Sequence, residues 1–302
     1  VRSSAASDVY KRQIYYIGGL IMENKQLLVA EDLSAVGDLS LTVATPILQC
    51  QNIPVAVLPT SVLSTQSEGF GTPAILPTEN WIKSTFDHWS KEQLDFSGIL
   101  IGYFNNQVVG QELLHFIESH SLDLVVIDPA FADDGAFYPG LDDNHLATIK
   151  ELLQHATVTT PNLTEAKFLT GLTELDNSYE SLSKLLLAMK KLIHPGGNVV
   201  ITDIVFENKH GCVYEQDGKV AFCSYPQLPG HFYGSGDIFS ALLTSFLWHG
   251  KDFHQAVKKT TKLTFNALME TATSHRERRY GINLSRLLQL LILENEGENY
   301  EN

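Results

Sequence analysis

The chain has 302 residues, 44% of them hydrophobic and 19% charged, which is enough apolar material for one large globular core. Its 35 acidic against 21 basic residues leave a formal charge of −14, a field that repels nucleic acid and anionic membranes and argues against both as partners. No apolar run approaches the roughly 20 residues of a bilayer span. Three widely spaced cysteines, Cys50, Cys212 and Cys223, without a C-x-x-C pair, fit a reducing, cytoplasmic setting better than a disulfide framework or a zinc site.

Residues 1–21 begin with the polar, patternless VRSSAASDVYKRQ; the following IYYIGGLIM has the length of a signal h-region but no A-x-A cleavage site. Met22 precedes a polar lead into a buried strand. The expectation is therefore a leader over 1–21 that does not belong to the fold, a single domain over 22–294, and an acidic, frayed tail over 295–302. Short runs rich in β-branched residues read as buried strands at 26–30, 55–59, 98–102, 123–128, 157–161 and 198–203. Helix-length segments alternate with them at 39–51, 78–93, 107–119, 142–155, 163–170 and 178–193. This alternation predicts an α/β fold with a mostly parallel sheet and helices on both faces. Asp217-Gly218 joins two alternating runs within 211–225, the pattern of a tight hairpin at an antiparallel edge, and helices follow from 236, over 252–272 and near 284–293.

The stretch FYGSGDIFSALL (232–243) carries the sharpest chemistry. Gly234, Ser235, Gly236 and Asp237 open a helix, where free N–H groups and about half an elementary charge meet whatever lies in front. A dinucleotide fingerprint would need a third glycine where Phe239 stands, and no Walker A pattern occurs. Asp237 alone reads equally well as a helix N-cap or as a catalytic base. Asp128, with Asp133 and Asp134 behind it, stands at one strand end, Asn162 and Glu165 at another, and Thr202 and Asp203 at a third. In isolation, Asn162 with Glu165 reads as a capping box, and Asp128-Pro129 as a turn. Together, carboxylates and amides at strand ends facing a glycine-lined helix terminus are the parts that collect Mg²⁺ and phosphate oxygens for phosphoryl transfer. The eleven histidines form no metalloprotease or triad pattern. Asn162-Leu163-Thr164 matches a glycosylation sequon, of use only to a secreted protein.

TPNLTEAKFLTG, DPAFADDGAFYPG, LIGYFNN and GSGDIFSALL, in their order along the chain, resemble the vitamin B6 kinases of the ribokinase superfamily, over about 26–272. The resemblance implies a ribokinase-like three-layer α/β/α domain that phosphorylates the hydroxymethyl group of pyridoxal, pyridoxine or pyridoxamine with ATP and Mg²⁺. It also implies a homodimer, and it allows a monovalent cation such as K⁺. By the same resemblance Asp237 is the base, with Gly234, Ser235 and Gly236 forming an anion hole. Asp128, Asn162, Glu165, Thr202 and Asp203 face the nucleotide, and Asp128, Asp133 and Glu165 the metal. Tyr103 and Ser67 lie beside the substrate ring, and Asp32 stands where relatives carry serine. Three family features are absent: the early S-H pair is replaced by Asp32-Leu33, the FSNHT stretch by LSTQS at 63–67, and a glycine by Ala132. Hydroxymethylpyrimidine kinase is the sibling alternative, and a non-catalytic vitamer-binding protein the alternative outside catalysis.

Overall fold

The structure is a computed structural model that describes residues 25–206 and 209–300, with 295–300 described by backbone alone. The expected leader over 1–21 lies outside the described residues. In chain order, β1 (Gln26–Ser34) leads to α1 (Leu41–Cys50), β2 (Val55–Leu63), β3 (Ile75–Leu76), α2 (Glu79–Lys91), β4 (Phe96–Ile101) and α3 (Gln107–Ser119). Next come β5 (Leu124–Ile127), β6 (Ala132–Asp133), β7 (Ala136–Phe137), α4 (Asp143–Leu153), β8 (Val158–Thr159), α5 (Leu163–Thr170) and α6 (Tyr179–Met189). Then follow β9 (Asn198–Phe206), β10 (Lys209–Gln216), β11 (Lys219–Pro226), α7 (Ser235–Trp248), α8 (Phe253–Thr273) and α9 (Ser285–Tyr300).

One nine-stranded sheet runs in the order β11-β10-β9-β8-β5-β4-β1-β2-β3, and β6 pairs with β7 in a separate ribbon. The six strands from β9 to β2 are parallel. Side chains on them alternate between two buried faces. Leu28, Ile99, Ile101, Val125 and Ile127 pack with α2 to α6, while Leu27, Val29, Leu100, Val126 and Val200 pack with α1, α7, α8 and α9. Burial on both faces is why these strands read as unbroken apolar runs.

The hairpin of β10 and β11 turns on Asp217 (φ 52°) and Gly218 (φ 74°), with Gln216 opposite Lys219, the left-handed pair that a two-residue turn needs. At the other edge, β3 runs antiparallel to β2, a strand the sequence hides because Pro73 and Pro77 frame only a few residues there. The last helix also differs from expectation: α9 continues through Tyr300, where a frayed tail from 295 was expected.

Candidate active site

A cavity of about 480 Å³ opens at the carboxyl ends of the parallel strands, where open α/β sheets bind ligands. Asp32 reaches it from β1, Tyr103 from beyond β4, Asp128 from the residue after β5, Asn162 from beyond β8, and Thr202 and Asp203 from β9. Ser67, Asp133, Glu165 and the Gly234–Asp237 turn also border it, so every candidate catalytic, substrate, nucleotide and metal residue named from the sequence lies on one cavity. Four of the seven non-glycine residues at positive φ among the described residues, Ser40, Ala130, Asp134 and Asp203, stand on its wall. Backbone strain of this kind concentrates at functional sites.

Asp237 is not the N-cap of α7. Gly234 takes that place at φ 86°, with no side-chain cap, and Asp237 stands in the first turn. Its Oδ2 accepts the backbone N–H of Ser40 at 2.6 Å, a bond across 197 positions of sequence. Ser40 turns that N–H inward by adopting φ 47° and ψ −127°, a conformation that L residues rarely take. Burial raises the Asp237 carboxyl above its ordinary range, and the N–H and hydroxyl of Ser40 pull it back. A Cβ on Gly234 would stand 3.1 Å from the Cβ of Leu39, and one on Gly236 would stand 3.7 Å from Asp128 Oδ2. Gly234 is thus pressed against Leu39, just ahead of α1, at a positive φ that favours glycine, whereas at Gly236 a side chain would meet Asp128 only at ordinary contact distance.

Asp128 Oδ2 accepts the hydroxyl of Ser240 from the second turn of α7, and Ser240 lies 3.0 Å from Thr160 Oγ1. Asn162 and Glu165 form the capping box of α5: Asn162 Oδ1 accepts the Glu165 N–H at 2.8 Å, and Glu165 Oε2 accepts the Asn162 N–H at 2.9 Å. Glu165 Oε1 further accepts the N–H groups of Phe131 and Ala132, at 2.8 and 3.4 Å. Capping and cavity placement therefore coexist. Burial raises both the Asp128 and the Glu165 carboxyls, with the charge of Asp237 adding to it at Asp128 and the charge of Asp128 adding to it at Glu165. Asp133 lies on β6, where its Oδ1 accepts the Asp134 N–H at 2.8 Å. Among the described residues no three His, Cys, Asp or Glu side chains converge to hold a metal ion unaided. Thr202 donates through its N–H to Pro161 O at 2.9 Å, and Asp203 Oδ1 lies 2.7 Å from His210 Nε2.

Sequence reasoning missed Glu31. It is 1% exposed, its Oε2 has no hydrogen-bond partner, and a Cβ on Gly102 would stand 2.8 Å from its Cγ. Burial, then the charges of Asp237, Asp128 and Asp32, push its carboxyl well up. Its neighbour Asp32 is pushed up to about 6 by burial, against the hydroxyls of Ser40 and Ser34, and the Tyr103 phenol is raised to about 12 by burial and by Asp32. A carboxyl whose folded pKa exceeds its unfolded value costs stability as pH rises from the unfolded value, about 4.3, towards the folded one. Glu31→Gln is accordingly expected to melt higher than the parent at neutral pH, with the difference shrinking towards about pH 4. Melting curves across that range check it; a pH-independent difference would mean that Glu31 is ionised in the folded protein.

A three-layer sandwich with a carboxylate in the first turn of a glycine-entered helix, facing acids at the strand ends, defines a kinase of the ribokinase superfamily. The family model described as phosphomethylpyrimidine kinase matches residues 50–280, and the chain belongs to this family. Among solved structures, pyridoxal kinase from Lactobacillus plantarum is similar with a TM-score of 0.85 and 36% identity, over 91% of this chain and 99% of that one. A putative phosphomethylpyrimidine kinase from Bacteroides thetaiotaomicron, in a crystal form with pyridoxal, has a TM-score of 0.82 and 28% identity, over 89% and 96%. Of curated relatives, a putative pyridoxal kinase from Schizosaccharomyces pombe is 30% identical over 49% of this chain and 45% of its own length. The hydroxymethylpyrimidine/phosphomethylpyrimidine kinase of Bacillus subtilis is 29% identical over 60% and 66%. The chain thus spans about half to two thirds of the length of these curated relatives.

Proposed function

We propose that the chain transfers the γ-phosphoryl group of ATP to the hydroxymethyl group of a B6 vitamer, pyridoxal, pyridoxine or pyridoxamine, giving the 5′-phosphate. The observation that carries this reading is the placement of Asp237, a half-buried carboxylate in the first turn of α7 beside backbone N–H groups that have no acceptor within the helix. Asp237 takes the proton of the hydroxymethyl group as its oxygen bonds to phosphorus; the bond from phosphorus to the bridging oxygen breaks, and ADP leaves. The N–H groups of Gly236 and Asp237 receive the charge of the group in transfer. The pyridoxal kinase of L. plantarum, similar over nearly its whole length, supports the vitamer as acceptor. The sibling reading, a hydroxymethylpyrimidine acceptor, is supported by the family description and by the B. subtilis relative.

Among the described residues no lysine or arginine lines the cavity, whereas Asp32, Glu68, Asp128, Asp133 and Asp237 do. A bare triphosphate would meet repulsion from these carboxylates, so this donor set of hard oxygens fits a nucleotide that brings Mg²⁺. Asp128 would hold the ion directly and Glu165 through water, because its oxygens are taken by N–H groups. When bound, Mg²⁺ neutralises phosphate charge.

ADP release with each vitamer, with hydroxymethylpyrimidine and with a simple sugar tests the reading; release with none of the heterocycles, or full turnover in excess EDTA, would overturn it. Asp32, 3% exposed yet facing Tyr103, sets the field at the acceptor end. Asp32→Ser is expected to change the relative kcat/KM among vitamers by more than about threefold while altering the KM for ATP less. Steady-state kinetics with each vitamer decide; an equal effect on all of them, with a large change for ATP, would remove Asp32 from the acceptor end.

A further inference from the structure

Residues 274–281, between α8 and α9, carry three arginines in an otherwise acidic chain, and each one reaches a different loop of the cavity rim. Arg276 pairs with Asp38, two residues before the Ser40 whose N–H holds Asp237. Arg278 donates through Nη1 to the carbonyl of Pro229, and its guanidinium lies over the Phe232 ring, 4.1 Å from the centroid. Arg279 lies over Phe70 at 4.9 Å and donates to Gly69 O at 3.4 Å, while its own carbonyl accepts Gln66 Nε2 at 2.6 Å.

The loop into α7 requires an outside hold. Gly234 has no side-chain cap, and Gly230 and Gly234 both sit at positive φ, 89° and 86°, so the segment that leads into the anion hole begins and ends on residues with little conformational preference of their own. Arg278 grips it at Phe232, between those two joints, and at Pro229, just before the first. A Cβ on Gly230 would stand 2.6 Å from Arg278 Nη1, so the guanidinium lies flush against the backbone as well as on the Phe232 face.

We propose that Arg278 is a positioning residue for phosphoryl transfer, holding the N–H groups at the start of α7 in place through Pro229 and Phe232, while Arg279 separately holds the acceptor side through the 66–70 loop. The kinetic part of this inference rests on the phosphotransfer reading above; the structural part does not. Neither arginine lines the cavity, so both act through the loops they hold.

The test compares full-length Arg278→Ala, Arg278→Lys and Arg279→Ala with the parent by steady-state kinetics and by hydrogen exchange with mass spectrometry. Arg278→Ala is expected to lower kcat about tenfold or more, with the acceptor KM changed by less than about twofold. Arg278→Lys recovers part of the loss, because an ammonium keeps the donor and the charge over the ring but not the flat stacking. Arg279→Ala shows the reverse split, raising the acceptor KM with kcat nearly kept. In exchange, amides of 230–237 open faster in Arg278→Ala alone, and those of 66–70 in Arg279→Ala alone. Should the parent phosphorylate no tested alcohol, the exchange pattern still decides the structural part. Equal changes of kcat and KM in both alanine variants, or exchange that quickens in both loops alike, overturns the proposal.

Discussion

Asp237→Asn is expected to fold like the parent and to lose about 10²-fold or more in kcat, the usual contribution of a positioned base. The amide oxygen of Asn can still accept the Ser40 N–H that Asp237 Oδ2 accepts at 2.6 Å, so the link between α1 and α7 survives. Burial holds the carboxyl above its ordinary range, and an uncharged amide escapes that penalty; the Asn variant should melt at or above the parental temperature near neutral pH. Asp237→Ala differs. It strands the N–H of Ser40, a residue 4% exposed, at a cost of about 1–3 kcal/mol, so only this variant should lose stability. ATP affinity should hold or rise slightly in both, because a negative charge beside the γ-phosphate is gone. Near-parental kcat in the Asn variant would reject the base assignment.

Glu165→Ala is expected to lose both stability and activity, and the two losses have separate causes. Three N–H groups, of Phe131, Ala132 and Asn162, donate to its two oxygens, and removing the carboxylate strands them where Glu165 is 1% exposed. Unsatisfied buried donors put the cost at about 2 kcal/mol or more. Activity should fall with a raised Mg²⁺ requirement, since a carboxylate proposed to hold the ion through water is lost. Melting and an Mg²⁺ titration of kcat separate the effects: a variant that melts low but needs no more Mg²⁺ than the parent would make Glu165 purely an anchor of α5.

Much of the site is legible in the chain because strand ends and helix starts carry local signals. Asp128 follows LVVI, Asn162 and Glu165 have capping-box spacing, and Gly234 to Asp237 precede an apolar helix; each pattern is short, and the topology of a parallel sheet brings strand ends to one side. What could not be read is of three kinds. Glu31 looks like one polar residue in a strand, and only the packing of Gly102 against it reveals that it is sealed in. Ser40 acts through its N–H, which every residue but proline carries, and through an unusual backbone conformation that no sequence pattern marks. The arginines at 276, 278 and 279 reach partners as far as 238 positions away, a separation at which residue type alone predicts no contact. Asp133 shares a loop with Asp128 in the sequence, and nothing there shows that it stands on the β6–β7 ribbon, beside the tight turn at Asp134 and Gly135 with φ 48° and 79°.

The capping box has a consequence for biosynthesis. Asn162 spends both ends of its amide inside the fold, Oδ1 on the Glu165 N–H and Nδ2 on the carbonyl of Ala132 at 2.7 Å. The same Nδ2 is the atom a glycosylating enzyme would modify in Asn162-Leu163-Thr164, and it would do so on the nascent, unfolded chain. A sugar attached there would have to occupy the wall of the cavity, beside Asp128 and Glu165, before α5 could start. Any copy of this chain routed past that enzyme and modified at Asn162 would reach its folding step carrying an obstruction where its ligand belongs, so heterologous production through a secretory host should yield a glycosylated, poorly folded product that Thr164→Ala rescues.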